Sequence, residues 1–242
     1  MNNTNLTNKN VVIIGGTSGI GLAVAKLIAK KGANLTIASR SLDRLSQAAE
    51  TIQGNVQIGQ IDTLKEESVK AFFSDRHNID HIINFAGDSM SGGVVDADLP
   101  TAKNAMESKF WGQFYIGRYG GVKINPHGSL TFTGGSGPRP HQAIATMAAN
   151  AGVVLLVESL AKELAPVRVN VVSPYYVNTP MWSGMVDTER QTLFDRVGKQ
   201  LPIGRVAEIE DVAPTFLHVL ESTYLNGANI PVNGGAMLQT IV

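Results

Sequence analysis

Short apolar runs alternate along the chain with longer stretches in which apolar residues recur every three or four positions. Residues 11–14 form a β-branched run ending at Gly15, which suits a strand buried on both faces. Over residues 20–31, Ile20, Val24, Leu27 and Ile28 fall at helical spacing, and Gly32 closes the segment. The same reading predicts strands over 35–38, 56–61, 79–85, 130–133, 167–172 and 230–232. Helices are predicted over 42–52, 68–73, 101–119, 144–164, 189–197 and 210–220. No linker, repeat or low-complexity block interrupts the alternation. The fold class expected is therefore α/β, a single doubly wound domain with a seven-stranded parallel sheet flanked by helices. It should span 10–242, after a flexible N-terminus over 1–9. Crossovers between parallel strands are right-handed, so ligands collect beyond the carboxyl ends of the strands. The polar and Gly-rich turns fall there.

Composition narrows the class of partner. The chain has 242 residues, 43% hydrophobic and 17% charged, which suits one folded domain and excludes a disordered one. Twenty basic residues balance 20 acidic ones, so no global field draws nucleic acid or an anionic membrane. With no Cys, disulfides, thiolate metal sites and Cys nucleophiles are excluded, and no metal centre is expected. The most apolar stretch, 143–157, contains Thr146 and Asn150 and stops at Glu158, so it is expected as a buried helix rather than a membrane span. Residues 1–10 are polar and Asn-rich, unlike a secretory signal, and a cytoplasmic location is expected.

The first strand–helix turn reads Gly15-Gly16-Thr17-Ser18-Gly19-Ile20-Gly21. Gly15 permits a tight turn, Gly19 lets the backbone approach a pyrophosphate, and Gly21 lets helix and strand pack closely. The helix N-terminus then offers phosphate its unpaired N–H groups and partial positive charge, with Ile20 in its first turn. A tight turn without a ligand would use the same glycines, but the strand–turn–helix context favours a dinucleotide. At the end of the second strand, an NAD site usually presents a carboxylate to the ribose 2′-hydroxyl. Ser39-Arg40 stand there instead, and a guanidinium binds a 2′-phosphate that a carboxylate would repel. Thr17 and Ser18 add hydroxyls. NADP(H) is the expected cofactor.

These residues resemble the short-chain dehydrogenase/reductase family, whose glycine motif is T-G-x-x-x-G-x-G; here Ile14 replaces the Thr. The likeness extends through Asp62-Thr63, beside adenine in the family, and Asn84-Phe85-Ala86-Gly87, where the family has N-N-A-G. It continues through Arg168-Val169-Asn170-Val171-Val172-Ser173-Pro174, Pro202-Ile203-Gly204-Arg205-Val206 and Asn233-Gly234-Gly235, covering residues 10 to about 238. The resemblance implies a Rossmann-type fold, a carbonyl or alcohol substrate, a homotetramer or homodimer, and a substrate loop near 180–200. Val177 and Thr179 match positions that contact the nicotinamide carboxamide. Tyr175 fills a place near the nicotinamide face that the family usually gives to Gly.

In the family, a Tyr moves the proton, a Lys four residues later lowers its pKa, a Ser orients the substrate oxygen, and an Asn supports a water relay. Register places Thr146 at the Tyr position, Asn150 at the Lys position, Gly135 at the Ser position with Ser136 beside it, and Lys109 at the Asn position. All four are changed. Thr146 lacks a phenol's reach, and Asn150 carries no charge to acidify anything. Lys109 leaves a cation near the pocket from the opposite helix, unless it merely fills space or pairs with Glu107. His141 is the expected proton donor with Lys109 assisting, because a His titrates near neutrality, although a solvated loop His is the plainer reading. Arg139 could clamp an anionic substrate. Met181, Trp182 and Met185 hint at a partly apolar ligand, while Phe110, Trp111 and Phe114 suit the core or a subunit interface. Two readings stay open: an NADP(H)-dependent oxidoreductase with a relocated proton donor, or a non-catalytic NADP(H)-binding protein acting as sensor or structural subunit.

Overall fold

The computed structural model describes residues 6–89, 91–137 and 143–238. Seven parallel strands follow the order β3-β2-β1-β4-β5-β6-β7: β1 (Asn10–Ile14), β2 (Asn34–Ser39), β3 (Val56–Gln60), β4 (Ile79–Asn84), β5 (Ile124–Thr133), β6 (Arg168–Pro174) and β7 (Asn229–Val232). The order reverses direction between β1 and β4, which opens a crevice above their carboxyl ends. This is the Rossmann-type architecture expected, with the predicted strands and helices within a few residues of their places except at β5 and over 101–119.

One face of the sheet carries α1 (Gly19–Lys30), α2 (Leu42–Glu50) and α8 (Ile209–Glu221), packed on Ile13, Ile37, Ile83 and Val172. The other carries α3 (Glu66–Ser74) and α6 (Ile144–Glu163), packed on Ile14, Ile82, Phe132 and Val171. By length and composition α6 could cross a membrane. Its inner face, Val153, Val157, Leu160 and Ala161, is instead committed to the sheet. Arg168, on β6, is buried and donates to the carbonyls of Val219, Leu220 and Leu225, closing the carboxyl end of α8.

Three features differ from expectation. Residues 6–9 are not a loose lead: Leu6 is 2% exposed within the core, Thr7 donates to the Lys31 carbonyl, and the Asn8 N–H reaches the Gly32 carbonyl. A single buried leucine in a polar stretch is a weak sequence signal, and it suffices here because the turn after α1 receives it. Strand β5 begins at Ile124 rather than near 130. Pro126, His127 at φ +66° and Gly128 look like a turn, and they form an irregularity in the pairing with β4. The predicted helix over 101–119 consists of α4 (Leu99–Met106), a π-turn over Glu107–Trp111, α5 (Gly112–Tyr115) and a second π-turn over Ile116–Gly120. Lys109 sits in the first of these widened turns, which are frequent at functional sites.

Candidate active site

The crevice at the β1/β4 switch point is a cavity of about 210 Å³. Gly15, Thr17 and Ser18 line it from the first turn, Ser39 and Arg40 from the end of β2, Asp62 and Thr63 from beyond β3, and Ala86 and Gly87 from beyond β4. Its floor is shaped by glycine. A Cβ on Gly21 would run into the Gly15 carbonyl oxygen, and one on Gly15, at φ +83°, would lie 2.9 Å from the Ala86 nitrogen. These contacts hold α1 tightly against the turn, as the Gly spacing predicts.

The amino end of α1 is left electrostatically open. Ser18 occupies the N-cap without a capping side-chain hydrogen bond, and the first turn, including Gly19, Ile20 and Gly21, has no acidic residue. Helical geometry leaves those N–H groups without intrahelical acceptors, so they favour an anion. Thr179 and Pro180 approach Gly19 at 3.6 and 3.7 Å from its Cβ position, and the buried Thr179 hydroxyl has no partner. An open helix end and a floor that no side chain may fill together fit a dinucleotide pyrophosphate.

At the adenosine end, Arg40, in the turn after β2, is joined by Arg44 in the first turn of α2, which sequence reasoning missed. The Gln60 amide donates to the Arg40 carbonyl, and the Ser41 side chain caps α2. With two guanidinium groups and no carboxylate at the end of β2, NADPH should bind more tightly than NADH. Arg40→Ala is expected to weaken NADPH about 10- to 100-fold, the worth of a charge-assisted hydrogen bond, and to spare NADH. Calorimetric titration of both cofactors decides it; equal loss for the two would contradict a 2′-phosphate role.

Asn84 shapes the turn rather than the cavity: its Oδ1 accepts the Ala86 N–H, and it is 1% exposed. Val177 is buried in the core, where its carbonyl accepts the Trp182 indole N–H. Tyr175 packs edge-on against Tyr176 and covers Gly137, whose Cβ would lie 2.6 Å from the Tyr175 ring. Tyr176 stacks on Trp182, and Trp182 meets Phe194 of α7 (Asp187–Gly198) edge-on, so the predicted substrate loop is anchored by an aromatic wall.

On the reaction side, Thr146 and Asn150 lie one helical turn apart on the buried face of α6, 8% and 6% exposed. Asn150 explains Gly135: a Cβ there would lie 2.6 Å from the Asn150 amide nitrogen, so the amide fills the space a Ser side chain would need. Asn150 Oδ1 is buried without a partner. Ser136, next door, accepts a hydrogen bond from the Asn233 amide at 2.9 Å, which fixes its Oγ and leaves its own O–H free to donate. Lys109 is 8% exposed, and its side chain lies along Gly87, with Nζ 3.7 Å from the Gly87 Cβ position. It does not pair with Glu107. Burial pushes its pKa down, against a smaller upward pull from Asp88. Phe110, beside it, packs where a Cβ on Gly152 would stand, so the π-turn and α6 adjoin. His141 and Arg139 lie outside the described residues.

One pattern was overlooked in the sequence. Tyr119 and Lys123 have the Tyr-x-x-x-Lys spacing, yet Tyr119 donates to Glu66 and Lys123 to the Ser74 carbonyl, at the two ends of α3. Neither lines the crevice.

The family model described as Enoyl-(Acyl carrier protein) reductase matches residues 15–237. Carbonyl reductase family member 4 of Xenopus laevis is 31% identical, covering 95% of this chain and 98% of that protein. The short-chain dehydrogenase/reductase ATR9 of Stachybotrys chlorohalonatus is 30% identical, covering 96% and 98%. A small-chain dehydrogenase crystallised with NADPH superposes with a TM-score of 0.79 at 32% identity, covering 96% of this chain and 99% of that one. The chain belongs to the short-chain dehydrogenase/reductase family, as an NADP(H)-dependent oxidoreductase.

Proposed function

We propose that the chain reduces the carbonyl group of a small molecule, or oxidises the corresponding alcohol, with Lys109 in place of the family's Tyr and Lys. The observation that carries this reading is the buried Lys109 side chain, whose Nζ lies 3.7 Å from the Cβ position of Gly87, a residue that lines the crevice. The bound dinucleotide supplies hydride. The residues of the chain then bind it, through the α1 end, Arg40 and Arg44, and manage the proton. Lys109 Nζ holds the substrate oxygen and donates a proton to it as charge develops; a lysine shifted down towards neutrality suits that task. Tyr175, Tyr176 and Trp182 keep water from the reacting carbon. Asn150 keeps the Gly135 side filled.

The test follows NADPH oxidation with a panel of aldehydes, ketones and oxo acids. Turnover of at least one substrate class with wild type, and its loss in Lys109→Met, supports the reading. A panel that leaves NADPH untouched would favour the alternative of a cofactor-binding protein without catalysis.

Assembly belongs to the same reading. The helix holding Trp111 presents it 40% exposed, in contact with Phe110, Phe114 and Tyr115, and α6 presents Leu155 67% exposed. Two copies joined through these helices bury that apolar surface. Light scattering at micromolar concentration is expected to give a dimer or tetramer, and Leu155→Glu with Trp111→Glu to shift it towards monomer. A monomeric wild type would remove this part of the proposal.

A further inference from the structure

Lys109 is a buried cation without a counter-ion. Among the described residues it has no carboxylate within ion-pair distance and no hydrogen-bond acceptor. The stretches outside the described residues contain no Asp or Glu. Asp88, the acid whose charge it feels, turns its backbone N–H to Ser108 and stays outside ion-pair reach. Leaving a charge unpaired in a protein interior is costly, so such a group either stays neutral or waits for a partner. Gly87 lines the crevice, and Nζ lies 3.7 Å from the Gly87 Cβ position, so the unpaired cation stands just behind that wall of the crevice.

We propose that the substrate brings the missing charge, as a 2-oxo acid whose carboxylate pairs with Lys109. This rests on the carbonyl-reduction reading and adds the substrate class to it. In a 2-oxo acid the carboxylate and the keto oxygen sit on adjacent carbons, close enough for one ammonium with three N–H donors to hold both. The carboxylate compensates the buried cation, while the keto oxygen is placed to take its proton. Hydride forms a new C–H bond at the keto carbon, and the C=O π pair moves onto oxygen. That oxygen takes a proton from Lys109 Nζ, giving the 2-hydroxy acid and NADP⁺, and the amine regains its proton from solvent. A neutral ketone would leave the ammonium without its partner and bind poorly.

The experiment is calorimetric binding to the NADP⁺-saturated protein. The panel runs from pyruvate to phenylglyoxylate, each acid beside its neutral methyl ester, in two buffers of different ionisation enthalpy. The acids are expected to bind about 100-fold more tightly than the esters, the scale of a charge-assisted pair. Because burial lowers the pKa of the empty-site lysine, acid binding should also take up protons, increasingly so at higher pH. Lys109→Met, checked for unchanged NADP⁺ affinity, should abolish both the preference and the uptake. If no acid outbinds its ester, or the preference survives Lys109→Met, the substrate class is wrong. Lys109-dependent binding of acids that the NADPH form does not reduce would uphold anion recognition and count against carbonyl reduction. Reduction of the esters but not the acids would do the reverse.

Discussion

Lys109→Met is expected to slow the hydride step by about 10²- to 10⁴-fold, the usual worth of a positioned acid, while leaving NADPH affinity unchanged. Met keeps the apolar stem and all but the last atom of the side chain, so the contact of its Cγ with Gly87 survives and the donor is lost. Single-turnover stopped flow separates that step from cofactor binding and product release. The wild-type step should also weaken as pH rises through the pKa of Lys109. Burial holds that pKa below the ordinary lysine value, with Asp88 opposing, so the decline should come earlier than for an exposed lysine. If Lys109→Met turns over at the wild-type rate and His141→Ala does not, the proposed role passes to His141. Restoring the family's residues is a harder experiment. Gly135→Ser would bring its Cβ within 2.6 Å of the Asn150 amide nitrogen, so that amide must turn aside or be changed with it.

What the sequence made legible was local. The β-branched run before Gly15, the Gly spacing and the helix after it are one continuous stretch, and the structure keeps them as read. Arg40 could be placed because the end of β2 follows from the same count. Other features depended on which way a side chain turns at a strand end or on what it meets across the fold. The partner of Ser136 could not be read beside Gly135, since its hydroxyl accepts from Asn233, 97 residues away. Leu6 looked like part of a polar tail because its partners lie in the core behind α1. The π-turn at Glu107–Trp111 leaves no mark in the helical pattern, since one extra residue in a turn is lost within 3.6-residue periodicity. The packing at Gly135 was likewise invisible: only the fold brings the Asn150 amide to 2.6 Å from its Cβ position.

His81 should make the fold sensitive to mild acid, by about 3 kcal/mol at most between pH 6.5 and 4. It lies on β4, 7% exposed, with Nδ1 2.8 Å from the Ser129 hydroxyl on β5. Burial pushes its pKa down from 6.5 to about 4; Asp80 pulls the other way, and Arg168 and Lys9 reinforce the fall. Below pH 6.5 the unfolded chain therefore binds a proton that the folded chain refuses, so stability falls with pH until the folded-state pKa is passed. Asp80 acts in a lower window. Its carboxylate is partly buried, but hydrogen bonds from the Asn10 N–H, Lys9 and Asn125 outweigh that and hold its pKa below the usual range, so its contribution is lost only in stronger acid. Urea unfolding at half-unit steps from pH 7.5 to 4.5 measures the slope. His81→Gln, neutral throughout and able to keep a hydrogen bond to Ser129, should flatten it in that interval at little cost at pH 7.5. An unchanged slope in the variant would assign the acid sensitivity to other groups, and would mean that His81 takes up its proton inside the folded sheet.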